Sequence, residues 1–62
     1  MEAIVSGISL KGKNRIREHG DVWDILKSES QKILIQSKKN PNVVRWVERM
    51  NDSDMRIVSI LD

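Results

Sequence analysis

The stretch Lys11–Asp24, KGKNRIREHGDVWD, decides how the rest of the chain is read. Lys11, Lys13, Arg15 and Arg17 recur at every second position. Side chains alternate between the two faces of an extended strand, so the four cations would share one face while Leu10 and Ile16 take the other. Residues 13–18 are therefore expected to form a basic strand with Ile16 inward. His19-Gly20-Asp21 comes next, and a glycine that tolerates positive φ between two extended segments suits a tight reversal. The expectation is a hairpin with one charged face.

Moving outward, Val22–Lys27 reads as the second long strand, with Trp23 and Ile25 on one face and Val22 and Leu26 on the other. Ser28–Gln31 is a short polar loop. In Lys32–Ser37, KILIQS, Ile33 and Ile35 alternate with Lys32, Leu34 and Gln36, which is the pattern of a strand. Lys38-Lys39-Asn40-Pro41-Asn42 carries strong turn chemistry. Val43–Met50, VVRWVERM, fits two structures: its apolar positions match one helical face, with Asn40 as cap and Pro41 in the first turn, while three valines and a tryptophan in eight residues favour a strand. The strand is preferred. Asn51–Asp54 is a turn, read as a short 3₁₀ turn, and Met55–Leu61 a closing strand. Upstream, residues 3–10 form a lead-in strand weakened by Gly7.

Ile and Val outnumber Leu and Ala, and β-branched side chains favour sheet over helix. Five short strands separated by polar turns cannot bury both faces of a flat sheet, whereas a sheet curled on itself removes most edges and encloses a core. The fold class is thus all-β, a five-stranded small barrel spanning residues 1–62 as one domain, with 1–10 a lead-in strand or partly flexible N-terminus. Its core would draw on Ile16, Trp23, Ile25, Ile33, Ile35, Val44 and Ile57. A competing helical reading, with residues 21–37 and 41–50 as amphipathic helices, puts Glu29 near an apolar face and ranks lower.

Composition narrows the function. The 62 residues include no cysteine and a single histidine, so there are no disulfides or thiolate metal sites, and no cofactor is expected. No apolar run approaches the roughly 20 residues that span a bilayer, and a cytoplasmic, non-membrane protein is expected. The formal net charge is +2, so the chain is no polycation, but the cations crowd into residues 11–17.

The order of these pieces resembles the SH3-like small barrels, including KOW and Tudor-like modules, over residues 11–61: a basic strand, the turn at Gly20, VWDIL, KILIQS, RWVE, the polar NDSD connection and MRIVSI. The chain is also similar in style to small phage-encoded accessory proteins. With no Tyr or Phe and only Trp23 and Trp46, it lacks the aromatic groove or cage that reads proline-rich or methylated ligands. The resemblance leaves nucleic-acid contact through basic segments, or protein contact through a sheet edge.

The residues expected to contact nucleic acid are Lys13, Arg15, Arg17, Arg45 and Trp46, the cations holding phosphates and the indole stacking on a base. Lys11 belongs to the same strip, and Lys38 and Lys39 could extend it. The plainer alternative for the strip is a solvated face that discourages aggregation, and for a tryptophan it is burial with its N–H bonded to a carbonyl. Trp23 fits that second role. His19 lacks a Ser, Cys or Thr partner recognisable by spacing, and Glu18, Asp21 and Asp24 form no paired-carboxylate geometry, so the protein is expected not to be an enzyme. The rival expectation is a protein-interaction module, an inhibitor, adaptor or homodimer, using a sheet edge or apolar patch.

Overall fold

The computed structural model describes residues 1–61. Its elements are β1 (Glu2–Gly7), α1 (Leu10–His19), β2 (Val22–Ser28), β3 (Lys32–Ser37), β4 (Val44–Glu48) and β5 (Met55–Leu61). All five strands join one antiparallel sheet in the order β4-β3-β2-β1-β5. The sheet is not closed, and β4 and β5 are its two edges.

The basic strand expected at residues 13–18 is instead part of helix α1. Both ends of the helix explain why. Ser9 is the N-cap, its hydroxyl accepting the Gly12 N–H at 3.0 Å, and Gly20 ends the helix at φ 84°, its N–H donating to the Ile16 carbonyl at 2.7 Å. A capping serine satisfies one of the helix's unpaired N–H groups, and glycine adopts this left-side φ without a Cβ penalty. Lys and Arg between them lose little rotamer freedom in a helix. Gly20 thus closes a helix and does not turn a hairpin.

The other helical option fails at the opposite point. Residues 44–48 form β4, in register with β3 through Ile33↔Val47, Leu34↔Trp46 and Ile35↔Arg45. Asn40 makes a turn: its side chain accepts the Asn42 N–H at 3.1 Å and its carbonyl accepts the Val43 N–H at 2.9 Å. The connection before β5 consists of turns and bends, not a 3₁₀ helix.

The core is Ala3, Val5, Trp23, Ile33, Ile35, Val47 and Met55, with Ile16, Ile25, Val43 and Ile57 packed partly against it. Val44, expected inside, is exposed. Strand periodicity is two, so an inward Val47 turns Arg45 inward and sends Val44 and Trp46 to the outer face. The register slips between Ile4 and Val5 against β5, and between Ile25 and Lys27 against β3. These irregularities leave Val58 and Leu26 without paired partners and both exposed.

Helix α1 lies on the inner side of the sheet. Gly12 is the reason it can sit so close, since a Cβ there would lie 1.8 Å from the Asp54 carbonyl oxygen. That same carbonyl accepts the Ile8 N–H at 2.7 Å, and the Ser9 hydroxyl donates to Asp54 Oδ1 at 2.6 Å. The N-terminus of the helix is therefore pinned to the β4–β5 connection.

Candidate nucleic-acid interface

Helical geometry redistributes the strip. At about 100° per residue, Lys11 and Arg15 stack one turn apart on one flank of α1, and Lys13 and Arg17 stack on the other. The inward arc belongs to Gly12, Ile16 and His19. The four cations thus form two pairs that straddle the exposed side of the helix instead of one strand face.

None of the four has a carboxylate within ion-pair distance among the described residues. Other cations are committed. Lys38 sits between Glu2 and Asp24, 2.7 Å from Asp24 Oδ1, where it bridges two carboxylates that face each other across β1 and β2 and relieves their repulsion. Hydrogen bonding to Asp24, then to Glu2, raises the Lys38 pKa.

Arg45, expected to touch nucleic acid, points to the inner side and pairs with Asp52 at 3.1 Å and Asp54 at 3.5 Å. Asp52 is nearly buried. Its Oδ2 accepts the Asp54 and Met55 N–H groups and its Oδ1 accepts the Glu48 N–H. Burial pushes the Asp52 pKa up, but the N–H groups of Met55, Glu48 and Asp54, aided by Arg45, outweigh it and hold the carboxyl below its usual range. Asp54 is also lowered, chiefly by the Ser9 hydroxyl, with Arg45 and Lys11 contributing, against a smaller opposing effect of burial.

Trp46 stands on the outer face of β4, 37% exposed, opposite Leu34 and with Lys32 Nζ 4.6 Å from its ring centroid. Trp23 is fully buried and its indole N–H donates to the Gly20 carbonyl at 3.0 Å. The residues expected to act together are therefore divided: Lys13 and Arg17 on one flank of α1, Arg15 on the other, Arg45 in an internal ion-pair network, and Trp46 across the sheet.

What spacing did not reveal is Ser37. Its hydroxyl lies 2.9 Å from His19 Nδ1 and also accepts the N–H groups of Lys39 and Asn40. With both lone pairs used, the hydroxyl hydrogen goes to Nδ1, which places the imidazole proton of neutral His19 on Nε2. That nitrogen lies 3.7 Å from Glu18 Oε2, and the ring meets Trp23 edge-on at 5.4 Å. Ser37 is buried and its hydrogen bonds are saturated, so the pair acts as a strut between the end of α1 and the β3–β4 turn. Its serine and histidine are eighteen positions apart, a separation that offers no local signal.

Beside this strut is an open cleft of about 420 Å³, bordered by Lys11, Asn14, Arg15, Glu18 and His19 of α1 and by Asn40 and Val43 of the turn. Its rim combines amide, guanidinium and ammonium donors, which suit phosphate oxygens, with the Glu18 carboxylate, which repels them. Among the described residues no group of three or more His, Asp or Glu side chains is placed to hold a metal ion, and no helix is long and apolar enough to cross a membrane. No protein-family model, curated protein or solved structure matches this chain.

Proposed function

We propose that the protein is a non-catalytic binding module, related in architecture to the SH3-like small barrels, that holds nucleic acid through the cations of α1. The observation that carries this reading is that Lys11, Lys13, Arg15 and Arg17, on one short helix, have no carboxylate at ion-pair distance among the described residues, while Lys38 and Arg45 are held in ion pairs elsewhere. A net charge of +2 thus understates the field at α1. The antiparallel meander of β1 to β4, with β5 returning beside β1, supports the barrel-like part of the proposal.

The test is fluorescence anisotropy with a short labelled oligonucleotide at several salt concentrations. If all four cations meet phosphates, log K falls with log salt at a slope of about −3 to −4, and the Arg15→Glu, Arg17→Glu double variant lowers the slope by about 2. Salt-independent binding, or none at low salt, overturns the reading.

A second reading rests on the two sheet edges. Val44 and Trp46 are exposed on β4, and Val58, Ile60 and Leu61 on β5. Unpaired strand edges beside apolar side chains accept a strand from a partner protein or a second copy. Light scattering that gives a dimer unaffected by nuclease supports this alternative, and a monomer at high concentration counts against self-association.

A further inference from the structure

Between its two cation pairs, α1 carries a third row. Leu10, Asn14 and Glu18 are spaced four apart, so they stack along one ridge of the helix, and all three are exposed. Taking about 100° per residue, Asn14 bisects the arc of about 160° between the Lys11/Arg15 pair and the Lys13/Arg17 pair. The helix thus presents a central ridge with cations on both sides.

We infer that α1 is a recognition helix that enters the major groove of duplex DNA, its ridge facing base edges and each cation pair facing one phosphate strand. This rests on the nucleic-acid reading above and makes it specific. The major groove, about 12 Å wide, admits one α-helix, and its two walls are lines of phosphates, which is what a ridge flanked by cations on both sides matches. A single-stranded ligand or a flat phosphate surface would be met by one flank alone. The major groove of A-form RNA is too narrow for side chains to read.

The ridge chemistry fits base edges. Asn14 has the amide that pairs with adenine N6 and N7, Glu18 a carboxylate that accepts from cytosine N4, and Leu10, 74% exposed, an apolar surface for a thymine methyl. The ridge from Leu10 to Glu18 is about 12 Å long, enough for three to four base steps of about 3.4 Å. Glu18 would be repelled by phosphates; its position on the helix lies between the cation pairs, and its carboxylate, 3.7 Å from His19 Nε2 in the free protein, would swing outward to reach a base. The opposite side of the helix is anchored by Gly12 against Asp54 and by His19 against Ser37, which gives α1 a rigid base.

The experiment is selection of bound duplexes from a randomised 12-base-pair DNA pool, followed by anisotropy on the selected duplex, a scrambled duplex, the corresponding single strand and an RNA duplex. The expected result is enrichment of a short motif containing adenine. Asn14→Ala should lower the preference for that adenine about ten-fold while leaving the salt slope, which the four cations set, unchanged. Asn14 is exposed, so the variant keeps the fold. Binding without enrichment, or tighter binding to single strands or RNA, overturns the groove assignment and leaves the nucleic-acid reading standing. Absence of binding to every probe overturns both.

Discussion

Gly12 shows how one missing Cβ can set the position of a whole helix. The Asp54 carbonyl occupies the space where that atom would be, 1.8 Å from its ideal site, and the obstruction is backbone on both sides. Gly12→Ala should therefore destabilise the fold by about 3 kcal/mol, read as a lower urea midpoint at unchanged slope. Asp52 is a second single-residue lever. It accepts three backbone N–H groups and pairs with Arg45, so Asp52→Ala removes the acceptor of the part-buried Asp54 and Met55 N–H groups and the partner of Arg45, and should cost about 2 kcal/mol. The same carboxylate makes stability depend on pH. Asp52 and Asp54 have folded-state pKa values below the ordinary 3.8, so the unfolded chain binds their protons first. Their contribution is complete above that value and is lost as pH falls through and below it. Urea midpoints measured from pH 6 down to pH 2 should fall steeply below about pH 4, and Asp52→Asn should flatten that fall.

At the scale of elements, what was legible in the sequence depended on where the apolar residues stand. Lys32–Ser37 and Met55–Leu61 alternate or run apolar between strong turns, and the strands occupy those same residues. The segment from Lys11 to Arg17 has one apolar side chain, Ile16, so its two-residue rhythm was a rhythm of charges. Charges on a solvated surface do not choose between strand and helix, because every second residue also yields two sets spaced by four. The deciding signals were the ends, Ser9 three residues before Gly12 and Gly20 after His19. Ser9→Ala tests that claim. Loss of the cap alone costs about 1 kcal/mol, and because the hydroxyl also donates to Asp54, the measured loss should exceed that figure and shrink in an Asp54→Asn background. Of the candidate site, the sequence names the cations but not their layout: their split into two flanks, the engagement of Arg45 in an ion-pair network and the Ser37–His19 strut depend on helix formation and on contacts distant in sequence.

Across the whole molecule, the sheet separates two surfaces with different chemistry. On the inner side, α1 carries cations that have no carboxylate at ion-pair distance among the described residues, beside Asp52 and Asp54, whose charge Arg45 offsets in part. On the outer side, Lys38 is held by Glu2 and Asp24, and Trp46 and Val44 are partly exposed. Only one of these surfaces can face a duplex seated on α1. The two tryptophans report on the two sides, since Trp23 is wholly buried under α1 and Trp46 is open to quencher. With a saturating duplex, acrylamide quenching of Trp46 should be unchanged, because the sheet lies between it and the ligand. Trp46→Phe should bind the same duplex as tightly as the parent chain and show emission from Trp23 alone, shielded and blue-shifted. If nucleic acid instead protects Trp46 from acrylamide, and Trp46→Phe weakens binding, the indole stacks on a base and the contact lies on the outer face. In that case Lys32, poised over the Trp46 ring, would supply the adjacent charge and α1 would not.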